Sequence, residues 1–482
     1  MSTVVGVTYP RTGPQAPHPA VVLLQSQNIA YIRVQWVDLT NQIRYRVLPL
    51  AYFAKLLQSS NRPAVSLTKA TLGMVFLNMS PGFTCNGEYS YVFDLDSLRT
   101  SSYAPSHAIV MGWFQEKYPS PSGSFDVDLC PRALLKRISE QAHSQSNVDF
   151  LVGFETEFIL LNKSDHSPVN NHGWSCSPAL LSGSVEAAVL EEIADVLARD
   201  GIELQMYHAE GTPGQYEVVT GPLPPLQAAD ALIHTRETIY NVANKHGLRA
   251  TLAPRVFGDN PGSGTHVHIS VHGHDGNAAS PEEAGRVARP WTWEGLELRP
   301  AEASFLAGVL DHLPALCVFT LPFYASYGRV RDGIWSGGTF ACWGVEHRET
   351  PLRVCNPASP SSRNFELKMM DGTSNPYLTL AGILGAGWAA GISKQKELRI
   401  KPITSGASAV ELTTEERASL GIQAKLPLTI GEAQEAASKD EELQEILGAG
   451  FVDAYLRVTK YKNERYDLSD AEKARLLLID HY

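Results

Sequence analysis

The segment Ala253 to Ser270, APRVFGDNPGSGTHVHIS, constrains this chain more than any other. Gly258, Gly262 and Gly264 permit a turn with close backbone approach. The run Thr265-His266-Val267-His268-Ile269-Ser270 then alternates strictly, as a strand does. Both imidazoles fall on one face, with Val267 and Ile269 on the other. Paired histidines fed by a glycine-rich loop suit a metal or phosphate site. The plain alternative is a polar strand face carrying two solvated histidines.

A second strand adds carboxylates. Leu151 to Leu160, LVGFETEFIL, alternates so that Glu155 and Glu157 share a face while Phe154, Thr156 and Phe158 turn to the core. Two such carboxylates lie ~6.6 Å apart, from a rise of ~3.3 Å per residue. They repel unless cations sit between them, which hard divalent metals would do. The alternative is a solvated edge strand, which the large apolar partners disfavour.

The rest of the chain supplies the frame. Residues 1–20 read as a loose arm, and Ala30 to Pro49 as a hairpin around a polar turn. A Pro/Gly/Ser-rich stretch at Tyr118 to Ser124 marks a boundary. The expected divisions are 1–20, 21–125 and 126–482. Helices are expected from Pro131 to about Ser144, over Val185–Arg199, Pro224–Lys245 and Ala301–Phe319, and strands over Ile202–Glu210, Gln215–Val219 and Asn364–Met370. His272 to Pro300 reads as a polar, irregular surface insertion. Leu378 to Ile392 is about five residues short of a bilayer span, so it reads as a buried helix packed closely on a neighbour.

Composition removes several function classes. At 482 residues with 44% hydrophobic and 19% charged residues, the chain describes a soluble protein with ample core. A net charge of −11 argues against binding a phosphate backbone, so no nucleic acid and no membrane partner is expected. Six scattered cysteines without a C-x-x-C pair, and no basic-then-apolar leader, suit reduced thiols in the cytoplasm.

The carboxylates form a pattern. Glu155, Glu157, Glu210, Glu217 and Glu366, with His266, all sit on β-like segments and together would make two oxygen-rich sites for Mg²⁺ or Mn²⁺. Arg329, Arg331, Arg348, Arg353 and Arg363 lie among glycines, as a loop cluster for an anionic small molecule would; the alternative is surface ion pairs. Phosphoryl transfer from a nucleotide fits this set, without a P-loop.

The segments GFETEFIL, AEGTPGQYEV, FGDNPGSGTHVHIS, EHRETPLR and FELKMMDGTSNPYL, in that order, resemble the successive signatures of type I glutamine synthetase. The wording DGIWSGGT and DGTSNPYL is most similar to the glutamine-synthetase-like domain of certain fungal developmental proteins. The resemblance covers about residues 30 to 482. It implies an α+β fold: a small N-terminal β-grasp domain, then a catalytic domain built on a curved antiparallel sheet with flanking helices. It implies ATP and two or more divalent ions, held by Glu157, Glu210 and Glu217 and by Glu155, His266 and Glu366. Gly262 and Gly264 would line the substrate loop, and His268 and Ser270 would contact ATP. Arg329 would grip the substrate carboxylate, and Arg348 and Arg353 the phosphates. Asp38 would be an acidic latch given to the neighbour's site in a ring-shaped homo-oligomer.

Three departures stand out. The family's flap glutamate is missing from RDGIWSGGTFACWG, where Trp335 or Ser336 takes its position; Lys368 replaces an arginine; and Pro261 is inserted in the substrate loop. The expected activity is an ATP-dependent carboxylate–amine ligase acting through an acyl phosphate, on small-molecule carboxylate and amine substrates. The alternative is a nucleotide-binding oligomer with a signalling or scaffolding role.

Overall fold

The computed structural model describes residues 7, 16–173, 180–258, 261–273, 290–466 and 470–482. Most of the expected N-terminal arm, Cys176, Asp259, Asn260 and the greater part of the expected insertion lie outside these residues.

The hairpin expected from Ala30 to Pro49 forms as strands Tyr31–Val37 and Ile43–Pro49, closed by Asn41 at φ 62°. Ile32, Val34 and Trp36 point into the core because alternation places every second residue there. Tyr31–Val37 also pairs in parallel with His107–Glu116, inside a five-stranded mixed sheet. Helix Leu50–Ser59 covers this sheet, with Phe53 against Phe93 at a ring separation of 5.2 Å.

The second sheet carries the functional residues. Its strands run in the order 343–345, 352–355, 364–367, 265–273, 148–162, 215–223 and 204–209, and strand 248–251 pairs with the end of 148–162. The pairings are antiparallel apart from the parallel edge between Trp343–Val345 and Leu352–Cys355. Asn364–Leu367 is shorter than the expected strand.

Helices Pro131–Ser146, Pro225–Lys245, Pro300–Thr320 and Pro376–Gly385 form around the sheet. Each starts on a proline, which is preset for the first turn and has no N–H to leave unpaired there. Pro300–Thr320 is long and apolar enough to cross a membrane by composition, but it is largely buried inside the protein. The close packing expected for Leu378–Ile392 is found against this helix: a Cβ on Gly387 would meet the Phe305 ring at 2.2 Å. The last turns, Ala386–Ile392, widen into a π-helix.

The segment His272–Pro300 departs from its expected irregular, polar character. Within its described part, Trp291–Trp293 and Leu296–Leu298 form a hairpin; Leu298 is fully buried and Trp291 packs on Trp343. Leu296, Leu298 and Trp291, set among polar neighbours in the sequence, anchor it to the core. One apolar core is continuous from the first sheet through the second and its helices.

Candidate active site

Register turns scattered glutamates into one surface. On the central strand Val148–Asn162, Glu157 lies opposite Glu217, and Glu217 lies opposite His208. Two residues back along the strand, Glu155 lies opposite His266. One strand further out, His268 pairs with Glu366, and Glu366 with Arg353. Because side chains alternate across a sheet, all of these share one face.

The resulting contacts are short. His266 Nδ1 lies 3.1 Å from Glu155 Oε2 and 3.4 Å from Glu366 Oε1, and its Nε2 lies 3.8 Å from Glu157 Oε1. His208 reaches Glu217 at 3.2 Å and Glu210 at 3.5 Å. Three groups each place their ligand atoms within 4.8 Å of one another: Glu155 with His266 and Glu366, Glu157 with Glu217 and His266, and His208 with Glu210 and Glu217. Oxygen-rich sets with a single imidazole suit Mg²⁺ or Mn²⁺.

The electrostatics divide the site. Burial, reinforced by Glu210, pushes Glu157 up to about 7 despite Arg329 nearby. Burial, with Glu155 and Glu157 beside it, does the same to Glu217, up to about 7. Such carboxylates bear one another poorly as anions, and a divalent cation between them would remove that penalty. At the other end, Lys368 and His266 overcome burial and hold Glu366 down at about 2. Bonds from His266 and His268 overcome burial at Glu155 and keep it well below the usual carboxylate range.

The glycine loop brings the backbone against this surface. Gly264 N and Gln215 Nε2 each donate to Glu157 Oε2 at 3.0 Å, leaving Oε1 toward His266. A Cβ on Gly264 would lie 2.5 Å from Arg329 Nη2 and 2.6 Å from His266 Nε2, and one on Gly262 would meet Pro254 O at 2.2 Å. Pro261 O accepts from Thr212 Oγ1 at 2.9 Å, tying the inserted residue to the 211–214 turn.

Arg329 is 3% exposed; its Nη2 donates to His266 Nε2 at 2.9 Å and to Lys368 O at 3.1 Å. Its Nη1 is buried without a partner among the described residues, as a guanidinium awaiting an anion would be. These groups line a cavity of about 940 Å³ together with Met206, Ile334, Trp335, Ser336 and Arg348.

The remaining expected residues lie as follows. Lys368 Nζ donates to Glu366 Oε1 at 3.2 Å, and Arg353 is ion-paired with Glu366. His268 bonds Glu155 at 3.0 Å and Asn364 at 2.8 Å. Ser270 lies further along the strand against His272. Arg363 leaves the arginine cluster altogether, buried against Glu302 at 2.9 Å. Asp38 is buried in its own hairpin turn, where it accepts from Thr40, Gln42 and Arg44. Both Trp335 and Ser336 line the cavity: Ser336 Oγ bonds the backbone of Arg331, and Trp335 is 60% exposed. His208 and Gln215 were not among the expected site residues. His208 could have been found, since it stands two residues before Glu210, the spacing that paired Glu155 with Glu157.

Comparison with known proteins bears on the whole arrangement. Residues 128–474 match the glutamine synthetase catalytic domain. The chain is 34% identical over 464 residues to the protein fluG of Emericella nidulans, covering 94% of this chain and 49% of fluG, so it spans about half the length of that relative. It is 32% identical over 385 residues to the gamma-glutamylpolyamine synthetase GlnA3 of Streptomyces coelicolor, covering 77% of this chain and 76% of that protein. A crystal structure of a novel glutamine synthase homolog superposes with a TM-score of 0.75 at 26% identity, over 94% of this chain and 99% of the other. Carried by a match that extends over the whole glutamate-bearing sheet, the conclusion is that this chain belongs to the glutamine synthetase family.

Proposed function

We propose that the chain is an ATP-dependent ligase that joins a small carboxylic acid to an organic amine through an acyl phosphate. The observation that carries this reading is the cross-strand array of Glu157, Glu217, Glu155, His266 and Glu366 beside a buried arginine with a free Nη1. The glutamine synthetase and gamma-glutamylpolyamine synthetase names among its relatives support the same chemistry.

Glu157, Glu210 and Glu217 would hold one Mg²⁺ or Mn²⁺, and Glu155, His266 and Glu366 another; such ions neutralise phosphate charge as it shifts during transfer. Arg329 Nη1 receives the substrate carboxylate, and Arg348 and Arg353 face the phosphates. His268 and Ser270 lie on the nucleotide side, and Gly262 and Gly264 let the loop close over the acid. A carboxylate oxygen attacks the γ-phosphorus of ATP, and the bond to ADP breaks. The amine nitrogen then attacks the acyl carbon, and phosphate leaves. Lys368, a compact charge, cannot make the bidentate carboxylate pair of an arginine, so the acid is held differently from glutamate in the family.

The same reading extends to organisation. Residues 21–125 would serve as a β-grasp-like domain and 126–482 as the catalytic domain of a ring-shaped homo-oligomer, for which exposed Tyr31, Tyr45 and Val47 offer an apolar contact face. Free thiols at Cys85, Cys130, Cys317, Cys342 and Cys355 suit the cytoplasm.

The test is phosphate release from ATP with Mg²⁺, using a panel of carboxylic acids and hydroxylamine as a small, mostly uncharged nucleophile. Hydroxamate formed with at least one acid, and lost in Glu157→Ala and Glu210→Ala, supports the ligase. Mg²⁺-dependent ATP binding without hydroxamate from any acid would return the scaffold reading.

A further inference from the structure

The rim of the cavity differs in chemistry from its interior. Every carboxylate lining the cavity among the described residues is Glu155, Glu157, Glu210 or Glu217, all four already assigned to metal. The other charged groups there, beyond His208 and His266, are cations: Arg329, Arg348 and Lys368. Acids close to the rim are committed elsewhere. Glu349 accepts from the backbone N–H groups of Gly333 and Trp335, and Asp332 accepts from Thr339 N at 3.1 Å and Oγ1 at 2.9 Å. Asp38, the expected latch, is fully buried and bonded within its own turn.

In place of an acid stands an aromatic platform. Trp335 is 60% exposed at φ 61°, a left-handed backbone that a bulky residue seldom adopts, and the Glu349 and Ser336 bonds hold it there. Ile334 and Met206, 36% and 52% exposed, extend the same apolar surface around the cavity mouth.

From this geometry we infer that the amine substrate is a weakly basic aromatic primary amine, uncharged at neutral pH, whose ring packs on Trp335. The inference rests on the ligase reading above. An ammonium ion needs an acid to attract it and a base to take its proton; among the described lining residues the carboxylates are the four assigned to metal, and His208 is turned to Glu217 and Glu210. Indole cannot accept a proton. An arylamine needs no such help, because its nitrogen lone pair is delocalised into the ring and stays unprotonated. A polyamine would bring a second cation toward Arg348. The step balances without further reagents: the neutral nitrogen attacks the acyl carbon, the carbon–oxygen bond to phosphate breaks, and the surplus N–H proton leaves on the phosphate.

The experiment uses the acid that supports hydroxamate formation and compares aniline, cyclohexylamine, ammonium and putrescine, with amide products identified by mass. Aniline is expected to exceed cyclohexylamine in kcat/KM by about ten-fold or more, from a stacked ring and a free lone pair. This ratio should fall as pH rises, because only cyclohexylammonium gains its neutral form. Trp335→Ala should lower the aniline-to-hydroxylamine ratio about ten-fold, while Trp335→Phe keeps it within about three-fold. Preference for ammonium, cyclohexylamine or putrescine, hydroxamate without any of these amides, or an undiminished ratio in Trp335→Ala would overturn the inference while leaving the ligase standing. Absence of hydroxamate would remove both.

Discussion

Behind the cavity lining, at the inner end of the site, Glu366 is fully buried between Arg353 and Lys368, whereas at the mouth Trp335 is 60% exposed on a loop held by side-chain bonds from Glu349 and Ser336. The inner end is a lattice of opposite charges on adjacent strands, each side chain fixed by sheet register. The mouth is a short loop with left-handed residues at Gly333, Trp335, Gly337 and Gly338. The difference teaches where change is tolerated. A buried charge depends on each of its partners, while an exposed loop side chain depends on little beyond its own backbone.

The largest expected effect breaks the inner end. Glu366→Ala leaves the buried Lys368 and the part-buried Arg353 without their common partner, and should cost about 3–5 kcal/mol in urea unfolding. Trp335→Ala, measured the same way, should change stability by less than about 0.5 kcal/mol. Equal losses from the two would erase the contrast.

A second, smaller effect tests the contact between loop and sheet. Gly264→Ala puts a methyl 2.5 Å from Arg329 Nη2, so the loop or the arginine must shift. The expected cost is about 1–3 kcal/mol, with weakened binding of the proposed carboxylate substrate in calorimetry. Unchanged stability and binding would mean that Arg329 is less tightly set than its contacts imply.

The smallest effect separates the two ends of the carboxylate array by pH. Glu157 and Glu217 stand at about 7 in the folded chain against 4.5 for the free side chain. Their folded values are raised, so their contribution to the stability of the metal-free chain is complete below 4.5 and is lost as pH rises through about 7. Under the proposed ligation, Mg²⁺ would have to displace those protons. The rise in Tm at fixed Mg²⁺ should therefore grow between about pH 6 and 8. Glu366, already down at about 2, adds nothing to that window. Glu157→Gln with Glu217→Gln should flatten the dependence, and a Tm shift independent of pH in the unmodified chain would contradict the assignment.

Local alternation was sufficient to read several features from the chain alone. Glu155 shares a face with Glu157, and His266 with His268, because a strand repeats every two residues whatever surrounds it. The same rule applied to His208 and Glu210 would have added a residue to the site. The helix opened by Pro131, the hairpin turn at Asp38 to Asn41 and the close glycine packing of Leu378–Ile392 were legible for equally local reasons. What only the tertiary structure decided was pairing between segments far apart in sequence. No local pattern says that Glu217 stands opposite Glu157, or that Arg363 turns to Glu302 rather than to the cavity. Nor does local pattern say how Trp335 and Ser336 are placed. Both line the cavity, Ser336 with its hydroxyl bonded to the backbone of Arg331 and Trp335 with its indole exposed. Alternation acts through one residue's own backbone, whereas register and loop closure depend on partners that only folding brings together.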